Sequence, residues 1–227
     1  MHKHGAIIFS RMDSSRFPKK AFSLIGKKTV IEAVISRIIA SAKYQTVIAT
    51  SNRDIDDPLE LIALKNGILC YRGESFNVAK RALDCAKYFD FERFARVNGD
   101  SPFVLKSLLD EGFIIAKKQN CDFLTNLMHR TYPYGISVEI IKTSTLEKSI
   151  AQFYNNENYE HVTDFFYKQP SLFHIEEFKL LNRNYSNLHW TIDTPGDLQR
   201  LIPLWNIIEN KDINIYEMVQ IYQELMG

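Results

Sequence analysis

The sequence predicts an α/β fold in which a mostly parallel sheet is covered by helices on both faces, and three observations predict it. Short, wholly apolar runs such as Ala6-Ile7-Ile8-Phe9 and Thr46-Val47-Ile48-Ala49 read as strands buried on both sides. A polar loop follows each run, and after it comes a segment with apolar residues at helical spacing. The cycle recurs through the first half of the chain, which is the signature of strands joined by crossover helices.

Ala6 to Phe9 is the first strand, and Ser10-Arg11-Met12-Asp13-Ser14-Ser15-Arg16-Phe17-Pro18-Lys19-Lys20 leaves it as a basic loop closed by a proline. Thr29-Val30-Ile31-Glu32 makes a capping box, and Ile31, Val34, Ile35, Ile38 and Ile39 recur at helical spacing behind it. Thr46 to Ala49 is the second strand; Asp57-Pro58-Leu59-Glu60 then supplies an N-cap, a proline at the first helical position and a carboxylate at the third. A third round runs from Gly67-Ile68-Leu69-Cys70-Tyr71 into a helix over about 76–88. The fourth strand, Phe94-Ala95-Arg96-Val97, leads through Asn98-Gly99-Asp100-Ser101-Pro102, with a cap at Ser101, into a helix carrying Val104, Leu105, Leu108 and Leu109. From Cys121 the rhythm changes. Phe123-Leu124, the turn Tyr132-Pro133-Tyr134-Gly135 and the alternating Ile136 to Ile141 predict a small antiparallel or edge excursion over about 121–188. It holds a Tyr- and Asn-rich helical stretch near 154–167 and a strand within Leu172 to Phe178. The sheet is expected to resume at His189-Trp190-Thr191-Ile192, and Asp193-Thr194-Pro195-Gly196-Asp197 opens the closing helices, which end near Leu225. No repeat, low-complexity segment or flexible linker divides the chain, so residues 1–227 are expected to form a single domain.

Composition narrows the function classes. With 45% hydrophobic residues and a net charge of +1, the chain buries a full core and carries no bulk charge for nucleic acid or membrane surfaces. The three cysteines are widely spaced and lack Cys-x-x-Cys, which points to reduced thiols in a cytosol rather than a disulfide frame or a zinc site. There is no signal-peptide pattern and no apolar run of membrane-spanning length, so a soluble cytoplasmic protein is expected.

The loop after the first strand concentrates Arg11, Arg16, Lys19 and Lys20 among serine hydroxyls, at the edge of the sheet where α/β proteins bind ligands. Such a loop suits a polyphosphate, although a solvated basic turn reads the same way. Asp100-Ser101-Pro102 and Asp193-Thr194-Pro195 repeat one design, a carboxylate after an apolar run followed by a hydroxyl cap and a proline. Brought together, two such carboxylates hold Mg²⁺, which takes one or two carboxylates plus phosphate oxygens; either alone reads as a helix-entry residue. Gly26-Lys27-Lys28-Thr29 lacks the leading glycine of a phosphate loop, since position 21 is alanine. No G-x-G-x-x-G follows a strand and no G-x-S-x-G is present, which disfavours a dehydrogenase and a serine hydrolase.

Ser10-Arg11-x-x-Ser14-Ser15-Arg16-Phe17-Pro18-x-Lys20 resembles the nucleotide loop of the CMP-sugar synthetases, A-R-x-x-S-[ST]-R-[LF]-P-x-K. The chain is most similar to the spore-coat polysaccharide biosynthesis F-type cytidylyltransferases and more distantly to the 3-deoxy-manno-octulosonate cytidylyltransferases. Further matching fragments follow in order: Val47-Ile48-Ala49-Thr50-Ser51, Asp57-Pro58-Leu59, Arg72-Gly73, Asn98-Gly99-Asp100-Ser101-Pro102, Arg130-Thr131-Tyr132-Pro133-x-Gly135-x-x-Val138-Glu139, Glu160-His161-Val162-Thr163 and Trp190-Thr191-Ile192-Asp193-Thr194-Pro195-x-Asp197-Leu198. The resemblance implies a Rossmann-like, three-layer α/β/α nucleotidyltransferase (GT-A-like) fold that transfers CMP from CTP to a sugar, expected to be acidic, for a surface polysaccharide or glycoconjugate. Carried over by position, Arg11, Arg16, Lys20 and Asp100 are the catalytic candidates, and Asp100 and Asp193 hold the implied cofactor, Mg²⁺. Ser10, Arg11, Ser14, Ser15, Arg16, Lys20, Thr50, Ser51, Arg72 and Arg81 are the nucleotide-binding candidates. Arg130, Tyr132, Glu139, Glu160 and His161 are the sugar-side candidates, although a structural histidine beside Glu160 and a core-packed Tyr132 fit the residues equally well. The implied partners are CTP, a small sugar and a second copy of the chain in a homodimer, for which the excursion lobe and the aromatic stretch from Phe153 to Phe178 would supply the patch.

The chain also departs from that pattern. Lys19 stands where glycine is usual, Asn77 where aspartate is common, and Tyr134 and Ser137 at the two acidic places of Y-P-D-G-x-D-V-E. These departures bear more on the acceptor than on the nucleotide. They leave three alternatives: transfer of another nucleotide or to another acceptor, a GT-A-like glycosyltransferase lacking its D-x-D, and an inactive homologue that keeps the fold.

Overall fold

The computed structural model describes residues 3–13, 17–153 and 159–227. Its frame is a seven-stranded sheet built from β1 (His4–Phe9), β4 (Gln45–Ser51), β5 (Leu69–Gly73), β6 (Arg93–Asn98), β7 (Phe123–Thr125), β8 (Glu139–Lys142) and β9 (Ile175–Glu177), in the order β5-β4-β1-β6-β8-β7-β9. The first four pair in parallel, and β8 alone runs against its neighbours β6 and β7. The antiparallel excursion is therefore built into the sheet rather than set apart as a lobe. A two-stranded ribbon, β2 (Leu24–Ile25) and β3 (Lys28–Thr29), links the basic loop to the first helix.

Strand alternation distributes the core. Ala6, Ile8, Ile48, Ala95, Val97 and Ile140 face α1 (Val30–Ile38), α2 (Asp57–Lys65) and α4 (Lys106–Gln119), whereas Ile7, Val47, Ala49, Phe94, Phe123 and Ile141 face α3 (Val78–Tyr88), α5 (Thr143–Ile150) and α6 (Asp164–Lys168). A third cluster seats α7 (Pro195–Ile208) and α8 (Ile215–Met226) around Phe103, Trp190 and Trp205. The fold is thus the expected three-layer α/β/α arrangement.

The capping boxes form at Thr29–Glu32 and, through Thr194 and Asp197, ahead of α7. Two expected helix entries do not form as read. α2 begins at Asp57, and the residue before it, Asp56, turns its carboxylate into the protein instead of capping the helix. The segment after β6 makes turns through Ser101 and Val104, so that Phe103 and Leu105 enter the third cluster and α4 starts only at Lys106. His189 to Ile192 does not rejoin the sheet as a strand. Its backbone pairs with Tyr134 on one side and with the Asp100 carbonyl on the other, which satisfies the main chain without a ladder. Within the aromatic stretch Phe153 packs on Phe165, and Phe166 stacks on Phe123 at 4.9 Å, so these rings belong to the core. Of the helical stretch expected near 154–167, residues 154–158 lie outside the described residues. Among the described residues no helix is long and apolar enough to cross a membrane.

Candidate nucleotide site

Strand order reverses beside β1: β4 and β5 follow it to one side of the sheet, and β6 then crosses back to its other side. Ligands in such sheets sit where the order switches, beyond the carboxyl ends of the strands. A cavity of about 330 Å³ opens there, lined by the loops that leave β1 and β6 and by α3. Gly99 lets the two loops approach. A Cβ at that position would lie 2.9 Å from Ser10 Cβ and 3.0 Å from the Phe9 carbonyl, which accepts the Gly99 N–H.

Ser10, Arg11, Lys20, Arg81, Asp100, Glu160 and His161 line this cavity, as do three polar residues that the sequence reading did not single out, Asp13, Arg96 and Asn98. Ser14, Ser15 and Arg16 lie outside the described residues. Lys20 reaches across the site. Its ammonium donates to Asp100 Oδ2 at 2.7 Å, to the Ile192 carbonyl at 3.1 Å and to Asp193 Oδ1 at 3.5 Å. The two aspartates meet because the Ile192 N–H donates to the Asp100 carbonyl at 3.1 Å, which carries Asp193 alongside. Lys19, where a glycine was usual, takes φ 57°, the left-handed conformation that glycine adopts without a Cβ penalty.

Arg11 donates to the Ser75 carbonyl at 3.3 Å, and Arg81, 1% exposed, donates to the same carbonyl and to that of Glu74. Burial, with Arg11 adding repulsion, pushes Arg81 down to about 10, and its Nε has no hydrogen-bond partner among the described residues. Thr50 and Ser51 are fully buried, and Arg72 is spent on the Ser51 and Arg53 carbonyls, Asp57 and Glu60. These three stand behind the cavity rather than on its wall.

On the other side, Glu139 is 1% exposed. It accepts from Arg96 at 2.8 Å and from the Tyr167 hydroxyl at 2.8 Å. Burial, and then the Glu139 charge, push the Tyr167 phenol upward, which keeps it a donor. Glu139 therefore presents Arg96 to the cavity instead of facing it. Arg96 carried one readable signal, a charge inside an otherwise apolar strand. Tyr132 is 4% exposed and packs edge-on against Phe178, and burial pushes its hydroxyl up to about 12; it is a core residue. Arg130 lies over the Tyr134 ring at 3.9 Å, and that ring stacks on His189 at 4.5 Å. Neither Arg130 nor Tyr132 lines the cavity.

A family model described as cytidylyltransferase matches residues 5–219. The spore coat polysaccharide biosynthesis protein SpsF of Bacillus subtilis is 29% identical over 221 residues, covering 94% of this chain and 91% of that protein. A cytidylyltransferase structure from Leptospira borgpetersenii superposes with a TM-score of 0.93 at 28% identity, covering 100% of this chain and 96% of that one. The CTP complex of CMP:2-keto-3-deoxy-manno-octonic acid synthetase shares the fold, with a TM-score of 0.66 at 15% identity over 89% of this chain and 98% of that one. With its fold, its converging loops and a match over nearly its whole length, the chain belongs to the cytidylyltransferase family and is a nucleotidyltransferase.

Proposed function

We propose that the protein is a CTP-dependent cytidylyltransferase that transfers CMP to a sugar hydroxyl, an acidic sugar destined for a surface polysaccharide, with release of pyrophosphate. The observation that carries this reading is Lys20 bridging Asp100 and Asp193 at the mouth of a basic loop. Arg11 and Lys20 line the cavity with the charge a triphosphate needs, and the leaving pyrophosphate would stay paired with them as the α-phosphorus accepts the sugar oxygen. Arg96, Glu160 and His161 remain on the cavity wall for the acceptor.

The donor set fits Mg²⁺. Two carboxylate oxygens already converge on one cation, and among the described residues no third acidic, histidine or cysteine ligand joins them, so phosphate oxygens would complete the shell. Asp100 and Asp193 would hold the ion, with the Lys20 ammonium turning to the phosphates. Bound there, Mg²⁺ would polarise the α-phosphoryl group. The test is pyrophosphate release from CTP, UTP, ATP and GTP with Mg²⁺ and a panel of acceptors that includes 3-deoxy-manno-octulosonate and neutral hexoses. Release with CTP and an acidic sugar is expected. Release with another triphosphate, or only with a neutral acceptor, would refute the base or the acceptor assignment respectively.

A further inference from the structure

Beneath the nucleotide loop lies a polar network that the proposed reaction does not use. Asp56 is fully buried, and its carboxylate accepts the Met12 N–H at 2.7 Å, the Ser51 hydroxyl, and Arg53 at 3.3 Å. Arg53 also donates through Nε to Ser51 Oγ at 3.0 Å, and its other arm reaches Asp13 Oδ2 at 2.6 Å. One guanidinium thus spans two carboxylates, one buried under the loop and one on it, in the forked geometry that arginine supplies and lysine does not. Met12 and Asp13 directly follow Arg11, and Asp13 Oδ1 lies 3.8 Å from Arg11 Nε. Asp13 and Arg11 line the cavity, whereas Arg53 does not. Two tethers therefore hold the two residues next to the first cation of the site, and both run through the turn that follows β4.

We propose that Arg53 is a positioning residue for nucleotide binding: it acts through Asp13 and Asp56 to hold the loop in the geometry that presents Arg11. The inference rests on the reading of this cavity as a CTP site. An unclamped loop would have to be ordered when the nucleotide arrives, and the cost would appear in affinity. Arg53 is 30% exposed in its side chain and packs in none of the hydrophobic clusters, whereas a change at Asp13, 35% exposed, cuts the same link without touching the buried Asp56.

The experiment is a double-mutant cycle on full-length protein. CTP with Mg²⁺ is titrated calorimetrically into wild type, Arg53→Ala, Asp13→Asn and the double variant, and each is melted without ligand. Each single change is expected to weaken CTP by about tenfold or more; without nucleotide Asp13→Asn should melt near wild type and Arg53→Ala lower, because it also leaves the buried Asp56 without its cation. The double variant should lose no more than Arg53→Ala alone, because Asp13→Asn cuts a link that Arg53→Ala already removes. Binding by Arg53→Ala within twofold of wild type, or losses that multiply in the double variant, would overturn the proposal while leaving the CTP reading intact. A wild type that binds no CTP would overturn both.

Discussion

Replacing Lys20 with methionine tests how the two aspartates are meant to be used. The ammonium sits 2.7 Å from Asp100 and 3.5 Å from Asp193, with 15% of its side chain exposed, so a divalent cation entering the nucleotide-free protein must first displace it. A hydrogen bond to a charged group contributes about 1.5–3 kcal/mol net. At about 1.4 kcal/mol per factor of ten, losing that contact costs the entering ion roughly tenfold to a hundredfold in affinity. Lys20→Met removes the competitor while keeping most of the stem volume. It should therefore bind Mn²⁺, used as a paramagnetic stand-in, about ten to a hundred times more tightly than wild type when no nucleotide is present. On the proposed reading it should also bind CTP more weakly, since Lys20 would be a phosphate partner. The assay is an electron paramagnetic resonance titration of free Mn²⁺, with and without CTP. Equal Mn²⁺ affinity of the two nucleotide-free proteins would show that Lys20 does not guard the carboxylates, and the argument would fall.

Three further outcomes follow from the geometry. Gly135 has φ +97°, and a Cβ there would lie 2.8 Å from the backbone carbon and oxygen of Trp190, so Gly135→Ala should destabilise by about 2–4 kcal/mol in urea unfolding; a loss under 1 kcal/mol would show that the turn can give way. Asn77 caps α3 by accepting the Lys80 N–H at 2.7 Å, so Asn77→Ala should cost about 1 kcal/mol and Asn77→Asp almost nothing, by the same measurement. Burial pulls the pKa of His4 below 6.5, and the imidazole stacks on Phe113 with its Nδ1 unpartnered. Below pH 6.5 the unfolded chain therefore binds a proton that the native chain resists. The His4 contribution is whole above that pH and declines as pH falls toward the lowered native value. His4→Gln should flatten the acid side of the stability profile, and parallel wild-type and variant curves would contradict this.

What the sequence made legible was local. The apolar runs of the first four strands, the Thr29 capping box and the Thr194 cap each declare themselves within a few residues, and the structure keeps them. The aspartate after the fourth strand could be read for the same reason. Long-range satisfaction of the backbone could not. His189 to Ile192 is as apolar as a strand, yet its N–H and C=O groups go to Tyr134 and Asp100, and nothing in the segment itself announces those partners. Asp56 and Asp57 are adjacent carboxylates ahead of a proline, and either fits the cap pattern; the Met12 N–H, 44 residues away, together with Ser51 and Arg53, draws Asp56 inward.

The same distinction explains where the site can vary. On the acceptor side the fixed part is buried: Glu139 is held between Arg96 on β6, the Tyr167 hydroxyl and, through that hydroxyl, Thr125 on β7. Losing Arg96 would strand a buried charge, which costs several kcal/mol, so this pair resists change. Tyr134, at 43% exposure, stacks on His189 under the Arg130 guanidinium and has no such buried partner to betray. An aspartate at that place would offer Arg130 a charge, whereas the tyrosine offers it a ring face. A guanidinium set over a ring face keeps more of its attraction for an anionic acceptor than one paired with a carboxylate does. Tyr134→Asp tests whether this guanidinium, which lies off the cavity wall, acts on the acceptor: the Michaelis constant for an acidic sugar should rise about tenfold and that for CTP stay unchanged; equal effects on both constants would place Tyr134 outside acceptor recognition.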